Sequence, residues 1–141
     1  MKRKVTMLSL MLMLLGLTGC NDSIINNQYD INTVFGYSSF ENDTNKTEVS
    51  YQIDINGTIK NIANVKDCEL VISSKYDELV LNKSNQKVII IAGQNTSTLR
   101  VEGTIVFNTK GMSKEDITKD NLFECIRITD ESSNKFRYEL K

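Results

Sequence analysis

The 141-residue sequence contains no His, no Pro and no Trp, and these absences narrow the chemistry that it can perform. Without His, neither a Ser-His-Asp triad nor a Cys-His pair can form. Zinc and non-haem iron sites that use His ligands are excluded for the same reason. The chain also lacks Trp for stacking on sugars and a Pro-rich ligand segment. We therefore expect no catalytic residues, no cofactor and no metal.

Clusters of one charge are also lacking. The chain has 17 basic and 18 acidic residues, and three of the basic ones are Lys2, Arg3 and Lys4. A mature chain that begins at Cys20 would keep 14 basic and 18 acidic residues, a formal net charge of −4. Because no basic block and no mixture of basic and aromatic residues occurs, nucleic acid is not expected as a partner.

The N-terminus combines the three basic residues with an uncharged, mostly apolar run from Val5 to Leu17. This pattern is typical of a secretory signal, and the run is shorter than the ~20 residues that span a bilayer. It ends in Leu17-Thr18-Gly19-Cys20, which resembles the bacterial lipobox, where the cysteine receives lipid and the chain is cut before it. An ordinary signal peptide that happens to contain a cysteine, or an uncleaved anchor, is the alternative.

The lipobox predicts a location and a domain organisation. Two acyl chains such as palmitate hold a protein stably on a bilayer, whereas one holds it only marginally. We expect residues 1–19 to be a signal peptide, and the lipid on Cys20 to hold the protein at the extracytoplasmic face of the cell membrane. Residues 20–28 are mostly polar and read as a tether. Residues 29–141 are enough for a single domain.

Two cysteines remain once Cys20 carries lipid. Cys68 and Cys125 are candidates for a disulfide, because an even number of cysteines in an oxidising compartment favours pairing. The strand faces on which the two cysteines are expected to lie argue against a disulfide. Cys68 shares a strand face with Leu70 and Ile72, whereas Cys125 shares one with Phe123 and Arg127, opposite Ile126 and Ile128. Two buried free thiols are the alternative.

Apolar residues alternate with polar ones along much of the chain, as in half-buried strands. The clearest alternation lies in residues 48–60 and 97–108, which we expect to be central strands. Further strands are predicted at 29–37, 68–73, 78–81, 87–92, 122–129 and 135–140, with a loop at 40–47. Among the short strands, 78–81 is the better candidate for a free edge.

One segment departs from this pattern. Ser113 followed by Glu115 and Asp116 predicts a short capped helix in a connection. Seven or eight short strands with polar turns and one short helix indicate an all-β fold, an antiparallel immunoglobulin-like (Ig-like) sandwich. A small β-barrel is the alternative.

Residues 49–107 resemble a family of envelope modules. Gly57-Thr58-Ile59-Lys60-Asn61 is similar to the G-T-V-x-N strand of FxLYD and CARDB-like Ig-like modules, and Ala92-Gly93-Gln94 to their P-G-[QE] turn. Of the F-x-L-Y-D motif, only Tyr76-Asp77 is present. The resemblance implies an Ig-like domain at the envelope surface without catalytic residues.

Two weaker patterns suggest chemistry. Ser73-Ser74-Lys75 fits a serine–lysine nucleophile pair, although a polar strand end explains it better. Asp116, Thr118, Asp120 and Glu124 supply oxygen ligands, but the glycine and terminal glutamate of an EF-hand are missing. We expect a non-catalytic, lipid-anchored protein that binds an envelope protein. A lipoprotein that binds a small ligand or gives immunity to an antimicrobial peptide is the alternative.

Overall fold

The computed structural model describes residues 28–119 and 122–140. The predicted signal peptide, Cys20 and nearly all of the predicted tether lie outside the described residues. Eight strands form: β1 (Asp30–Phe40), β2 (Asp43–Thr58), β3 (Val65–Ile72), β4 (Val80–Lys83), β5 (Lys87–Ala92), β6 (Thr96–Asn108), β7 (Phe123–Asp130) and β8 (Lys135–Glu139). Two short helices, α1 (Ile59–Ala63) and α2 (Lys114–Lys119), and a 3₁₀ helix (Ser74–Leu79) lie in connections.

The strands form two antiparallel sheets. One has the order β1-β2-β6-β4, with β5 also paired to β6, and the other has the order β3-β7-β8. Constant-type Ig domains have the strand orders ABED and CFG. The present order is the same when β4 and β5 together take the place of strand D. The predicted sandwich is confirmed, and the alternative of a closed barrel is wrong, because each described sheet ends in open edges.

Strands β2 and β6 are the inner strands of the larger sheet, as their alternation predicts. Their register pairs Val49 with Ile105 and Ile53 with Val101, and all four side chains are buried. The three-stranded sheet packs Ile126 and Ile128 into the same core. Since one face of each sheet is apolar and the two faces pack together, the period of two is sufficient to orient both inner strands.

The loop predicted at 40–47 is instead a tight hairpin. Strand β2 begins at Asp43, and Glu41 and Asn42 both have positive φ angles, 51° and 62°. Two central residues with positive φ define the type I′ turn, whose twist matches that of the flanking strands. The polar composition that suggested a loop therefore belongs to a strand end exposed to solvent.

The strand predicted through residue 60 ends early, at Thr58. The Thr58 hydroxyl accepts a hydrogen bond from the Asn61 amide at 3.1 Å and caps α1, a helix that the alternation at Ile59 concealed. The predicted helix after Ser113 forms as α2, and the Ser113 hydroxyl accepts from the Asp116 amide at 3.1 Å. Residues 28–119 and 122–140 therefore contain two short α-helices rather than one.

Candidate interaction surface

The two remaining cysteines lie on opposite faces of the three-stranded sheet. Cys68 pairs with Ile128 and faces the core, whereas Cys125 pairs with Val71 on the outer face. Both are free and buried, so the candidate disulfide is not formed. A register shift at Glu124 moves Phe123 to the core side, which corrects the expectation that it shares a face with Cys125.

Both thiols are expected to be unreactive. Burial raises the pKa of the Cys68 thiol to about 12, with smaller contributions from Asp67 and Glu69. Burial also raises the pKa of Cys125, whose neighbour Arg137 is held in ion pairs with Glu124 and Glu139. The thiolate is the reactive form, so neither cysteine is suited to act as a nucleophile.

We expect thiol reagents to label Cys68 and Cys125 in the native protein only when it unfolds. For a domain of ordinary stability, the requirement for unfolding slows labelling by roughly 10³-fold or more relative to the denatured chain. Peptide mapping of the protein denatured without reductant should show both residues alkylated. Recovery of a peptide that links Cys68 to Cys125 would contradict the free thiols.

The weaker sequence patterns have structural explanations. Lys75 lies in the 3₁₀ helix with its Nζ 4.8 Å from the centroid of the Tyr76 ring. Asp116 accepts from the Ser113 hydroxyl at 2.6 Å, and Glu124 pairs with Arg137 at 2.9 Å. Asp120 lies outside the described residues. Within the described part of the chain, no group of three or more His, Cys, Asp or Glu is placed to hold a metal.

Strand β5 exposes large apolar side chains along its whole length. Val88 is 58% exposed, Ile90 is 64% and Ile91 is 45%. From Leu81 to Thr96 every residue except Ile89 is exposed. Consecutive apolar residues are typical of strands that are covered on both faces. Strand β5 has this composition but is largely exposed to solvent.

The exposure has a simple cause in the strand order. Val88 pairs with Val101 and Ile90 with Leu99, and both partners are buried in the core. Val88 and Ile90 therefore point to the core side of the larger sheet. The opposing sheet has three strands and the larger one has four strand positions. The strip under β5 is left uncovered.

The outer edge of β5 also has unpaired main-chain groups, because the strand pairs only with β6 among the described residues. Strand β4 lies on the same edge, so the predicted edge strand at 78–81 was correct for residues 80–81, whereas residues 78–79 belong to the 3₁₀ helix and the strand continues to Lys83. Exposed apolar edges invite strand addition. We define the β5 edge as Lys87–Ala92 together with the flanking Lys83.

Tyr51 helps to fix the position of the chain between β4 and β5. The Tyr51 ring lies across Gly103, and its hydroxyl accepts a hydrogen bond from Gln86 Nε2 at 3.1 Å. Ser84 binds the opposite strand through its amide, which donates to the Thr104 carbonyl at 2.9 Å. These contacts hold the start of β5 against β6.

Two clefts adjoin this edge. A cleft of about 330 Å³ lies between β3 and residues 83–86, with Cys68, Leu70 and Ile105 in its wall. A second, of about 510 Å³, crosses the outer face of the larger sheet, with Asn85 and Lys87 at the end beside β5 and Val34 at the far end on β1. Tyr51 lines both clefts, so a depression lies on each face of the sheet at the β4–β5 junction.

Comparisons with protein-family models, curated proteins and solved structures found no significant match to this chain. The resemblance to FxLYD and CARDB-like modules and the lipobox therefore stay predictions. Among residues 28–119 and 122–140, no helix is long and apolar enough to cross a membrane. The β5 edge was missed in the sequence, although the consecutive apolar residues of 88–92 were a signal for it.

Proposed function

We propose that this chain is a lipid-anchored, non-catalytic protein of the cell envelope whose Ig-like domain binds another protein. The observation that carries the proposal is the β5 edge, where Val88, Ile90 and Ile91 are about half or more exposed beside an unpaired strand edge. Apolar patches of this kind mark sites of protein interaction. A small ligand would be favoured by an enclosed apolar cavity, whereas these side chains line an open edge.

The proposed anchor suits this role. The lipid on Cys20 would place the domain at the extracytoplasmic face of the membrane, and the tether would leave β5 free to meet envelope proteins. Confinement to a membrane raises the effective concentration of two partners. A modest interaction surface is therefore sufficient for binding.

The test compares two exposed aliphatic residues on opposite edges of one sheet. Ile90 on β5 is 64% exposed, and Val34 on β1 is 63% exposed. We expect Ile90→Glu to reduce the capture of an envelope partner by tagged full-length protein at least tenfold, because the charge must be desolvated in the interface. Val34→Glu should leave capture unchanged. Each substitution should alter the free energy of unfolding by less than about 0.5 kcal/mol.

The measurement is quantitative mass spectrometry of proteins cross-linked in native membranes, with thermal unfolding as the control for folding. Equal loss of a partner with both variants would point to a general effect of added charge. Turnover of an envelope substrate by the purified protein, lost on changing one polar residue, would overturn the non-catalytic proposal.

A further inference from the structure

We infer that the β5 edge receives an extended, acidic segment of a partner protein as a further strand of the larger sheet. This inference rests on the protein-binding function proposed above and names the chemistry of the partner. Three features of the edge support it: its main chain, its side chains and its charge.

The main chain supplies the first argument. Strand β5 pairs Lys87 through Ala92 with β6 in an unbroken antiparallel register. Its hydrogen-bonding groups on the other side have no strand partner among the described residues. An added strand satisfies such groups directly, and these main-chain bonds supply affinity with little dependence on the partner's sequence.

The side chains supply the second argument. An added strand would place alternate residues beside Val88 and Ile90 on the core side, and the others beside Ile89 and Ile91 on the outer side. Apolar residues would therefore be favoured on both of its faces. On the core side they would extend the hydrophobic core over the strip that the three-stranded sheet leaves uncovered.

Charge selects the partner. The chain has no acidic residue from position 79 to 101, although the mature sequence as a whole is acidic. Lys83 and Lys87 are exposed at the start of the β5 edge. Arg100 is already engaged, because it donates to both carboxylate oxygens of Asp54 at 2.7 and 2.8 Å. Glu102 lies opposite Lys87 on the outer face, and Asp67 and Glu69 line the cleft beside Lys83. These carboxylates belong to β6 and β3 rather than to the β5 edge, and Glu69 is paired with Arg127 at 3.1 Å.

The same charge disfavours a second copy of this chain as the occupant. In an antiparallel pair of two copies, the lysines at the start of each β5 lie beside the C-terminal end of the other β5, where residues 88–96 supply no carboxylate to pair with them. An acidic strand instead places carboxylates beside these lysines, and exposed pairs of opposite charge are weakly favourable.

The test uses synthetic peptides of about ten residues, a typical strand length. The probe alternates Val and Ile, so that both of its faces are apolar, and carries two Glu at each end. One twin carries Lys in place of Glu, and a second twin is the Glu peptide with alternate amides N-methylated, which removes main-chain donors. Binding to the full-length protein in detergent is measured by fluorescence anisotropy. We expect the Lys twin to bind at least tenfold more weakly, and the N-methylated twin to lose binding. Added salt should weaken the Glu peptide.

Charge reversal in the protein gives the matched control. Lys83→Glu with Lys87→Glu should reverse the preference and favour the Lys peptide. Lys60→Glu with Lys135→Glu changes the net charge equally at exposed positions on α1 and β8, outside the β5 edge, and should leave the preference unchanged.

Equal affinity for the Glu and Lys peptides, or undiminished binding of the N-methylated twin, would overturn the inference. So would concentration-dependent dimerisation that Ile90→Glu abolishes, since a second copy would then be the occupant. Capture of an envelope protein that depends on Ile90 but not on Lys83 or Lys87 would refute this inference while leaving the proposed function in place.

Discussion

Gly103→Ala should destabilise the domain by about 3 kcal/mol, the upper range for overpacking a core. A Cβ atom at Gly103 would lie against the Tyr51 hydroxyl and 2.6 Å from Tyr51 Cζ. The ring is stiff and 93% buried, at 7% exposure, so it cannot turn away at low cost. Its displacement would also break the hydrogen bond to Gln86 at the start of the β5 edge.

A second strand glycine provides the control. A Cβ atom at Gly36 would meet Ser50 Oγ at 2.5 Å. That hydroxyl can move to another rotamer, so Gly36→Ala should cost less than about 1 kcal/mol. Denaturant unfolding of both variants measures the difference. The penalty at Gly103 should be smaller in a Tyr51→Ala background, because the two residues are in contact. Additive effects would mean that the Tyr51 ring does not cause the penalty.

The contact between Tyr51 and Gly103 illustrates how far the sequence predicts this fold. The alternation in residues 48–60 and 97–108 is local, and it placed the two inner strands correctly. Which residue lies opposite Tyr51 depends on register, which is set by pairing between distant segments. The need for glycine at position 103 could therefore not be read from the sequence.

The errors at short elements have local causes that compete with the period of two. The type I′ turn at Glu41 and Asn42 allowed a polar segment to continue as strand. At Thr58, side-chain capping ended a strand whose apolar alternation continued into α1. At Glu124, a register shift changed the facing of Phe123. In each case local backbone geometry, rather than the apolar pattern, decides where the strand runs or which way a side chain faces.

The exposed β5 edge escaped prediction for a different reason. The apolar residues of 88–92 are visible in the sequence, but their exposure depends on strand order. The smaller sheet has three strands and the larger sheet is four strands wide, so one edge of the larger sheet is not covered. Strand β5 forms part of that edge, beside β6. Sequence alternation reports which face of a strand is apolar. It does not report whether another layer covers that face.

Cys20→Ser should abolish retention of the protein in the membrane. The physical reason is that lipid is the only attachment that we propose. Each buried methylene contributes about 0.8 kcal/mol, and two acyl chains are needed for stable anchoring. Serine offers no thiol to accept the lipid, and processing that depends on lipidation should stop. The variant would then keep the apolar run from Val5 to Leu17, which is shorter than a bilayer span.

Metabolic labelling with a tagged fatty acid, followed by membrane fractionation, measures the effect. The wild type should carry label and sediment with membranes, whereas Cys20→Ser should carry none and be recovered mainly in the soluble or secreted fraction. Cys125→Ser is the matched control, because Cys125 is buried in the folded domain and should not affect labelling. Equal labelling of the wild type and Cys20→Ser would refute the lipid anchor. Loss of label with full membrane retention would instead indicate that the uncleaved N-terminal segment holds the protein. In that case the β5 edge would still face envelope proteins, but the anchor would be the apolar run rather than lipid.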